Sequence, residues 1–103
     1  MEKRSAERIN ATLRVEFDWS NTICCCTAVN LSEKGMLLKT SDISFPLDTH
    51  FEIYIHLKGA VLEVPVKVNR LVKTDNVYDG IGIELIAPPP LYVDFISNLR
   101  DAS

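Results

Sequence analysis

The side chains of this sequence that suit a charged ligand lie in two places, an N-terminal pair of arginines and one polar turn. Arg4 and Arg8 lie in the charged N-terminal stretch MEKRSAERIN. Asn30, Ser32 and Gly35 lie in the stretch NLSEKG, which separates two apolar runs. A guanidinium group donates paired hydrogen bonds to an anion, and Asn and Ser side chains bond backbone groups or a ligand. The two segments together fit a small anionic ligand.

Charge and composition exclude several classes of protein. The chain has 103 residues, a net charge of −3 and a pI near 5.3. Its length fits one globular domain, and its acidic balance argues against a non-specific binder of DNA or RNA, which needs a broad basic surface. No apolar run approaches the roughly 20 residues of a membrane-spanning helix. The charged N-terminus lacks the apolar region of a signal peptide. We therefore expect a cytoplasmic protein that does not insert into a membrane.

The sequence contains no recognisable catalytic or metal-binding set. Cys24, Cys25 and Cys26 are consecutive, and neighbouring side chains of a strand point to opposite faces, so the three cannot converge on one metal ion. His50 and His56 lie far along the chain from the cysteines, and no nucleophile–base set accompanies a glycine-rich elbow. We expect no enzyme activity, no metal and no cofactor. We also expect core or half-buried thiols, with Cys25 facing away from the other two.

Alternation of apolar and polar residues predicts six β-strands. Turn signals separate the runs at residues 19–22, 30–35, 58–60 and 74–80. This pattern predicts an all-β fold, a small six-stranded antiparallel barrel or sandwich. Pro65 lies inside one run and predicts an edge strand or a bulge there.

The two ends of the chain differ from the middle. Leu91, Phe95 and Leu99 recur at i, i+4 and i+8 after three prolines, which predicts the apolar stripe of a short C-terminal helix that lies on the barrel. Residues 1–10 show no apolar periodicity. We therefore divide the chain into a flexible N-terminal arm, residues 1–10, and a barrel with a C-terminal helix, residues 11–103.

The spacing R-x-x-x-R followed by N-x-S-x-x-G, before this strand pattern, resembles a PilZ domain. The resemblance spans nearly the whole chain, because the last strand run, VYDGIGIELI, and the helix after it also look like the family's ending. PilZ domains are bacterial receptors for the second messenger cyclic di-GMP. The resemblance implies a cyclic di-GMP site at five positions: Arg4, Arg8, Asn30, Ser32 and Gly35. Lys3 and Arg70 are further candidates.

The chemistry of cyclic di-GMP agrees with these residue types. Guanine presents O6 and N7 as paired acceptors for a guanidinium group, which also binds phosphate. We expect Asn30 and Ser32 to present polar groups from the barrel. We expect Gly35 to be left-handed and to permit a close backbone approach. Because ordering a residue costs about 1–2 kcal/mol, we expect the arm to order only when ligand binds, which is itself a signal.

Other functions stay open at this point. A PilZ-like barrel could act as a protein–protein interaction module without nucleotide binding, although the intact arginine pair argues against it. A binder of single-stranded nucleic acid needs aromatic platforms on a basic face, whereas most aromatic residues here fall at inward strand positions. With no output domain in the sequence, we expect the signal to pass to a separate, unidentified protein. The number of ligand molecules, the oligomeric state and the regulated process (motility, attachment or exopolysaccharide) are not specified.

Overall fold

A computed structural model of the protein describes residues 9–41 and 43–102. Within these residues, six strands precede one helix: β1 (Leu13–Trp19), β2 (Thr22–Val29), β3 (Gly35–Lys39), β4 (His50–Leu57), β5 (Ala60–Thr74), β6 (Val77–Leu85) and α1 (Pro90–Ala102). The strands form a closed antiparallel barrel in the order β1-β2-β3-β6-β5-β4. The prediction of a six-stranded antiparallel barrel with a short C-terminal helix is confirmed.

The alternating runs place their apolar members inside the barrel. Val15 and Phe17 of β1 and Ile53 and Ile55 of β4 are buried, while the residues between them face outwards. Successive side chains of a strand point to opposite faces, so this alternation gives one apolar and one polar surface. The apolar surface closes on itself and forms the core.

Short turns with positive φ join the hairpins of the barrel. Ser20 and Asn21 connect β1 to β2, and Asp75 and Asn76 connect β5 to β6, all with φ between 51° and 66°. Two successive residues of positive φ match the right-handed twist of the flanking strands, and Asn and Asp tolerate this conformation. The predicted turn positions therefore have a direct conformational cause.

Pro65 lies where the pairing between β5 and β6 ends. Its carbonyl oxygen accepts a hydrogen bond of 2.9 Å from the Ile86 N–H, just beyond β6. The N–H and C=O of one strand residue point to the same side. The position of the N–H that proline lacks is therefore on the side of β6, beyond the end of that strand, so no hydrogen bond between β5 and β4 is lost. β5 is an interior strand, and its first register shift lies between Val68 and Arg70. The prediction of an edge strand or bulge at Pro65 is therefore wrong.

α1 packs on the barrel through a different stripe from the predicted one. Tyr92 and Ile96 are fully buried, Phe95 and Leu99 are partly buried against the same core, and Leu91 is 57% exposed. The predicted stripe of Leu91, Phe95 and Leu99 is therefore wrong at its first position, and the centre of the contact is displaced by one residue. The cause is Tyr92, which becomes buried because its hydroxyl finds a hydrogen-bond acceptor.

The predicted orientation of the cysteines is confirmed, but the prediction of core or half-buried thiols is wrong for Cys25. Cys24 and Cys26 are half-buried and Cys25 is exposed, as expected for consecutive residues of one strand. In the described ranges no group of His, Cys, Asp and Glu side chains is placed to hold a metal ion.

Candidate cyclic dinucleotide site

The hydroxyl of Ser32 organises the turn between β2 and β3. Ser32 is 4% exposed, and its Oγ accepts hydrogen bonds from the backbone N–H groups of Lys34 at 3.2 Å and Gly35 at 3.1 Å. The Ser32 backbone N–H donates to the Gly35 carbonyl oxygen at 3.0 Å. These bonds satisfy buried backbone groups and close the turn. The side chain that was expected to face a ligand is thus engaged within the turn itself.

Asn30 is the left-handed residue of the turn, with a φ of 52° and an exposed side chain. Gly35 lies outside the left-handed region, so the expectation of a left-handed Gly35 is wrong. A Cβ atom on Gly35 would lie 2.5 Å from the carbonyl oxygen of Ile83 in β6. Glycine is required there because two backbones approach each other closely, which agrees with the other half of the expectation.

α1 supports the turn from behind. The Tyr92 hydroxyl donates a buried hydrogen bond of 2.7 Å to the Ser32 carbonyl oxygen, and burial raises the pKa of this phenol well above its ordinary value. The hydroxyl therefore stays protonated and remains a donor. Near the end of α1, Arg100 forms an ion pair of 3.1 Å with Glu33. Two contacts thus join the helix to neighbouring residues of the turn.

A cleft of about 250 Å³ lies beside the turn, on the outer surface of β3, β6 and β5. Ser32 and Gly35 line one side, Asn69 and Arg70 line the other, and Gly82 lies between them. The predicted residues Ser32, Gly35 and Arg70, distant in sequence, therefore meet at one site. The register explains this, because β6 lies between β3 and β5 and places Gly82, which has no side chain, between Gly35 and Arg70.

A bulge in β5 turns two neighbouring polar side chains outwards. The register shifts between Val68 and Arg70, so Asn69 and Arg70 are both exposed. A Cβ atom on Gly82 would lie 3.1 Å from the Cβ and 3.3 Å from the Nε of Arg70, and 3.3 Å from the Oδ1 of Asn69. The Arg70 side chain therefore extends across Gly82 towards the cleft.

The charges around the cleft favour an anion. Lys34 and Arg70 are cationic residues of its lining, and Glu84 is the acidic one. Glu84 lies 3.7 Å from the Nζ of Lys67, which offsets its charge. Guanidinium and ammonium groups around an open cleft are suited to phosphate oxygens.

The N-terminal segment joins the barrel at the same place. Arg4, Arg8 and Lys3 lie outside the described residues. Ile9 pairs with Leu31 through two backbone hydrogen bonds, Ile9 N–H to Leu31 O at 2.7 Å and Leu31 N–H to Ile9 O at 3.0 Å. Leu31 lies between Asn30 and Ser32, so the segment that contains the arginine pair is attached directly beside the turn.

Sequence reasoning missed Asn69, Gly82 and Tyr92. The break in alternation at VNR was a signal for Asn69, because a bulge lets consecutive residues share a face. The spacing of Gly80 and Gly82 was a weak signal for a part of the outer surface of β6 without side chains. No local pattern predicted Tyr92, whose acceptor belongs to a residue 60 positions away.

Comparisons with known proteins agree with this architecture. The PilZ domain profile matches residues 2–94, a range that includes all seven candidate positions. The solved structure of the Bacillus subtilis inhibitor of motility, MotI/DgrA, is similar with a TM-score of 0.79 over 99% of this chain, at 15% sequence identity. The match covers 52% of that protein, so this chain spans about half its length. No curated protein matches. The family match, together with the shared barrel fold, shows that the chain belongs to the PilZ domain family.

Proposed function

We propose that the protein is a cytoplasmic receptor for cyclic di-GMP that passes the signal to a separate protein. PilZ domains are ligand-binding effector modules rather than enzymes. The observation that carries the proposal is a convergence: the turn and Arg70 line one cleft, and the R-x-x-x-R segment is attached at Leu31, the residue before Ser32 of that lining. Each of these features comes from a different part of the sequence.

The barrel side offers groups for both parts of the ligand. Cyclic di-GMP has two guanines and two phosphates, and a guanidinium such as that of Arg70 binds either the O6 and N7 pair of guanine or phosphate oxygens. The amides of Asn30 and Asn69 both donate and accept hydrogen bonds. Glycine at position 82 leaves room for the Arg70 and Asn69 side chains to lie over β6, so both reach the cleft.

The cleft of about 250 Å³ forms part of a site. Small-molecule clefts usually enclose roughly 300–1,000 Å³, and a cyclic dinucleotide is a large ligand of this kind. A second wall is therefore required, and residues 1–8 are attached where they can supply it. This is the role we assign to the N-terminal arm.

Covalent geometry gives both arginines the necessary reach. Consecutive Cα atoms lie 3.8 Å apart, so Arg8 adjoins the Ile9–Leu31 pair, and Arg4 can lie up to roughly 18 Å from Ile9. Ordering eight residues costs about 8–16 kcal/mol of backbone entropy. Charge-assisted hydrogen bonds return about 1.5–3 kcal/mol each, so about five of them, supplied by both arginines, offset the cost.

Calorimetric titration with cyclic di-GMP tests the proposal. The parent protein should bind, and the Arg4→Ala/Arg8→Ala and Arg70→Ala variants should bind more weakly. Arg14→Ala is the matched control, because β1 lies three strands from β6 in either direction around the barrel, and it should bind like the parent. A parent protein that does not bind would refute the proposal and leave the protein-interaction module. Preferential binding of a single-stranded oligonucleotide would also refute it.

A further inference from the structure

The barrel wall has a gap between β2 and the chain that follows β3. β2 pairs with β1 from Thr22 to Ala28, but it pairs with β3 only over Thr27–Val29. After Lys39 the chain stays beside β6, where the Thr40 N–H donates to the Asp79 carbonyl oxygen at 3.1 Å. Among the described residues, no strand pairs with residues 22–26 on this side.

A cavity of about 430 Å³ lies in this gap. Phe17 and the three consecutive cysteines line it on the side of β1 and β2, and Thr40 and Ile43 line it on the opposite side. Its size falls within the roughly 300–1,000 Å³ of ligand clefts. The open wall also explains why the inward-facing Cys24 and Cys26 are only half-buried, although Phe17, paired with Cys24, is 1% exposed.

Two residues at or next to this cavity carry buried polar atoms: Thr40 lines it, and Asp79 is joined to Thr40 by a backbone hydrogen bond. The Thr40 Oγ1 and the Asp79 Oδ1 are buried and form no hydrogen bond with any described residue. Alternate residues of the run 22–26 present their backbone N–H and C=O groups to the gap. An unpaired strand edge is usually protected by Lys, Pro or a bulge, and the sequence of this run, TICCC, contains neither Lys nor Pro.

We propose that this edge slot, formed by residues 22–26 with Thr40 and Ile43, binds an extended segment of a partner protein. The segment adds to β2 as a strand and inserts an apolar side chain between Cys24 and Cys26. Strand addition of this kind takes affinity from backbone hydrogen bonds and specificity from alternate side chains. Burial raises the pKa of Cys26 to about 12, so its thiol is neutral and suits an apolar neighbour.

Two features favour one partner strand over other occupants. The slot is bounded on both sides, by β2 and by Thr40, Ser41 and Ile43. If β2 of a second copy paired with this edge, the β1 strand of that copy would lie where Thr40, Ser41 and Ile43 already bound the slot. The slot therefore has no space for the paired strands of a second copy. Lys39 at the rim is exposed and forms no ion pair within the described ranges, which favours an acidic residue in the partner segment.

The slot and the cleft lie at opposite ends of β3, since Gly35 begins that strand and Lys39 ends it. The slot is therefore tested without cyclic di-GMP. The probe is the blocked pentapeptide TVDVT, titrated to millimolar concentration while amide chemical shifts of the whole protein are recorded. The matched probe is the same pentapeptide N-methylated at alternate amides, which keeps the side chains and removes the donors.

The expected result is a set of shifts confined to residues 22–26, 40 and 43, with new protection of the gap-facing amides. N-methylation should lower the affinity about tenfold or more, since it removes two or more backbone hydrogen bonds. Cys26→Leu, which fills the slot, should abolish the shifts, while Asn98→Ala, at an exposed position of α1 that does not line the cavity, should preserve them. In the free protein, amides of residues 22–26 that face the gap should exchange faster than those of residues 27–29.

Three results would overturn the proposal. The first is the absence of shifts at millimolar peptide with the parent protein. The second is equal binding of both pentapeptides, which would identify a site for apolar small molecules. The third is a concentration-dependent dimer in which residues 22–26 are already protected, which would identify a second copy as the occupant. Because the parent decides all three, a poorly folded Cys26→Leu variant does not affect the test.

Discussion

The Tyr92 hydroxyl donates a hydrogen bond of 2.7 Å to the carbonyl oxygen of Ser32, in a buried environment and across 60 positions of sequence. Ser32 in turn holds the backbone N–H groups of Lys34 and Gly35. A continuous chain of hydrogen bonds therefore runs from the first turn of α1 to the wall of the cleft. This relationship makes α1 part of the candidate site, although no α1 residue lines the cleft.

Tyr92→Phe should destabilise the protein and weaken ligand binding. The substitution leaves the Ser32 carbonyl oxygen buried without its donor, which costs about 1–3 kcal/mol in the free energy of unfolding. The turn then loses its support, so the affinity for cyclic di-GMP should fall as well. Urea unfolding and calorimetry measure the two effects. Tyr78→Phe, at a half-buried position with an Lys73 ammonium over its ring, is the control. Unchanged stability in Tyr92→Phe would contradict the assigned role of this hydrogen bond.

Ser32→Ala should lower both stability and affinity. It removes the acceptor of two backbone N–H groups, so we expect a loss of about 1–2 kcal/mol in each measurement. The exposed Ser44 provides the control substitution, Ser44→Ala, which should change neither. A variant that binds more weakly but unfolds like the parent would show that the hydroxyl contacts ligand rather than organising the turn.

Two glycines beside the cleft should respond differently to alanine. Gly35→Ala places a Cβ 2.5 Å from the backbone oxygen of Ile83, and backbone cannot move aside easily, so the thermal midpoint should fall. In Gly82→Ala the closest atoms are the Arg70 Cβ at 3.1 Å and the Arg70 Nε and Asn69 Oδ1 at 3.3 Å; the Nε and Oδ1 can move with their exposed side chains, and the Cβ overlap is much smaller than that at Gly35. That variant should keep most of its stability and lose affinity, because Arg70 is displaced. Equal thermal midpoints for the two variants would disagree with this geometry.

The three thiols should react at different rates with a thiol reagent. Cys25 is exposed and should react first, and Cys24 should follow at an intermediate rate. Cys26 should react slowest, because burial raises its pKa to about 12 and the thiolate is the nucleophile. Single-cysteine variants followed from pH 7 upwards measure this order, and the Cys26 rate should still be rising when the pH is close to 12. Fast reaction of Cys26 at neutral pH would contradict its described environment.

The strands and turns were predictable because their signals are local. Alternation in β1 and β4 indicates which side chains face the core. The Asn and Asp residues of the hairpin turns indicate the positive φ that such turns require. The PilZ motif spacing also directed attention to Ser32 and Gly35. These features depend on residues within a few positions of each other.

The remaining features depend on contacts between distant parts of the chain. Gly35 is required by the backbone of β6, and Tyr92 is buried because the turn offers it an acceptor. The predicted stripe through Leu91 treated α1 as an isolated amphipathic helix and placed its contact one residue away. The Ile9–Leu31 bridge, inside the range predicted as an arm, involves a single backbone pair and has no periodic pattern.

The central claim is that cyclic di-GMP is held between the NLSEKG turn and the segment that contains Arg4 and Arg8. Amide hydrogen exchange of residues 1–10, with and without cyclic di-GMP, tests this claim most directly. The Ile9 amide, which already donates to Leu31, is an internal reference that should be protected in both states. In the parent, residues 1–8 should exchange freely without ligand and become protected with it.

The same measurement on variants gives the decisive comparison. In Arg4→Ala/Arg8→Ala the ligand should bind about thirty- to a thousandfold more weakly, a loss of about 2–4 kcal/mol, and residues 1–8 should stay unprotected. Arg14→Ala should behave like the parent. Equal protection of residues 1–8 with and without ligand in the parent, or full affinity in the double variant, would contradict the account.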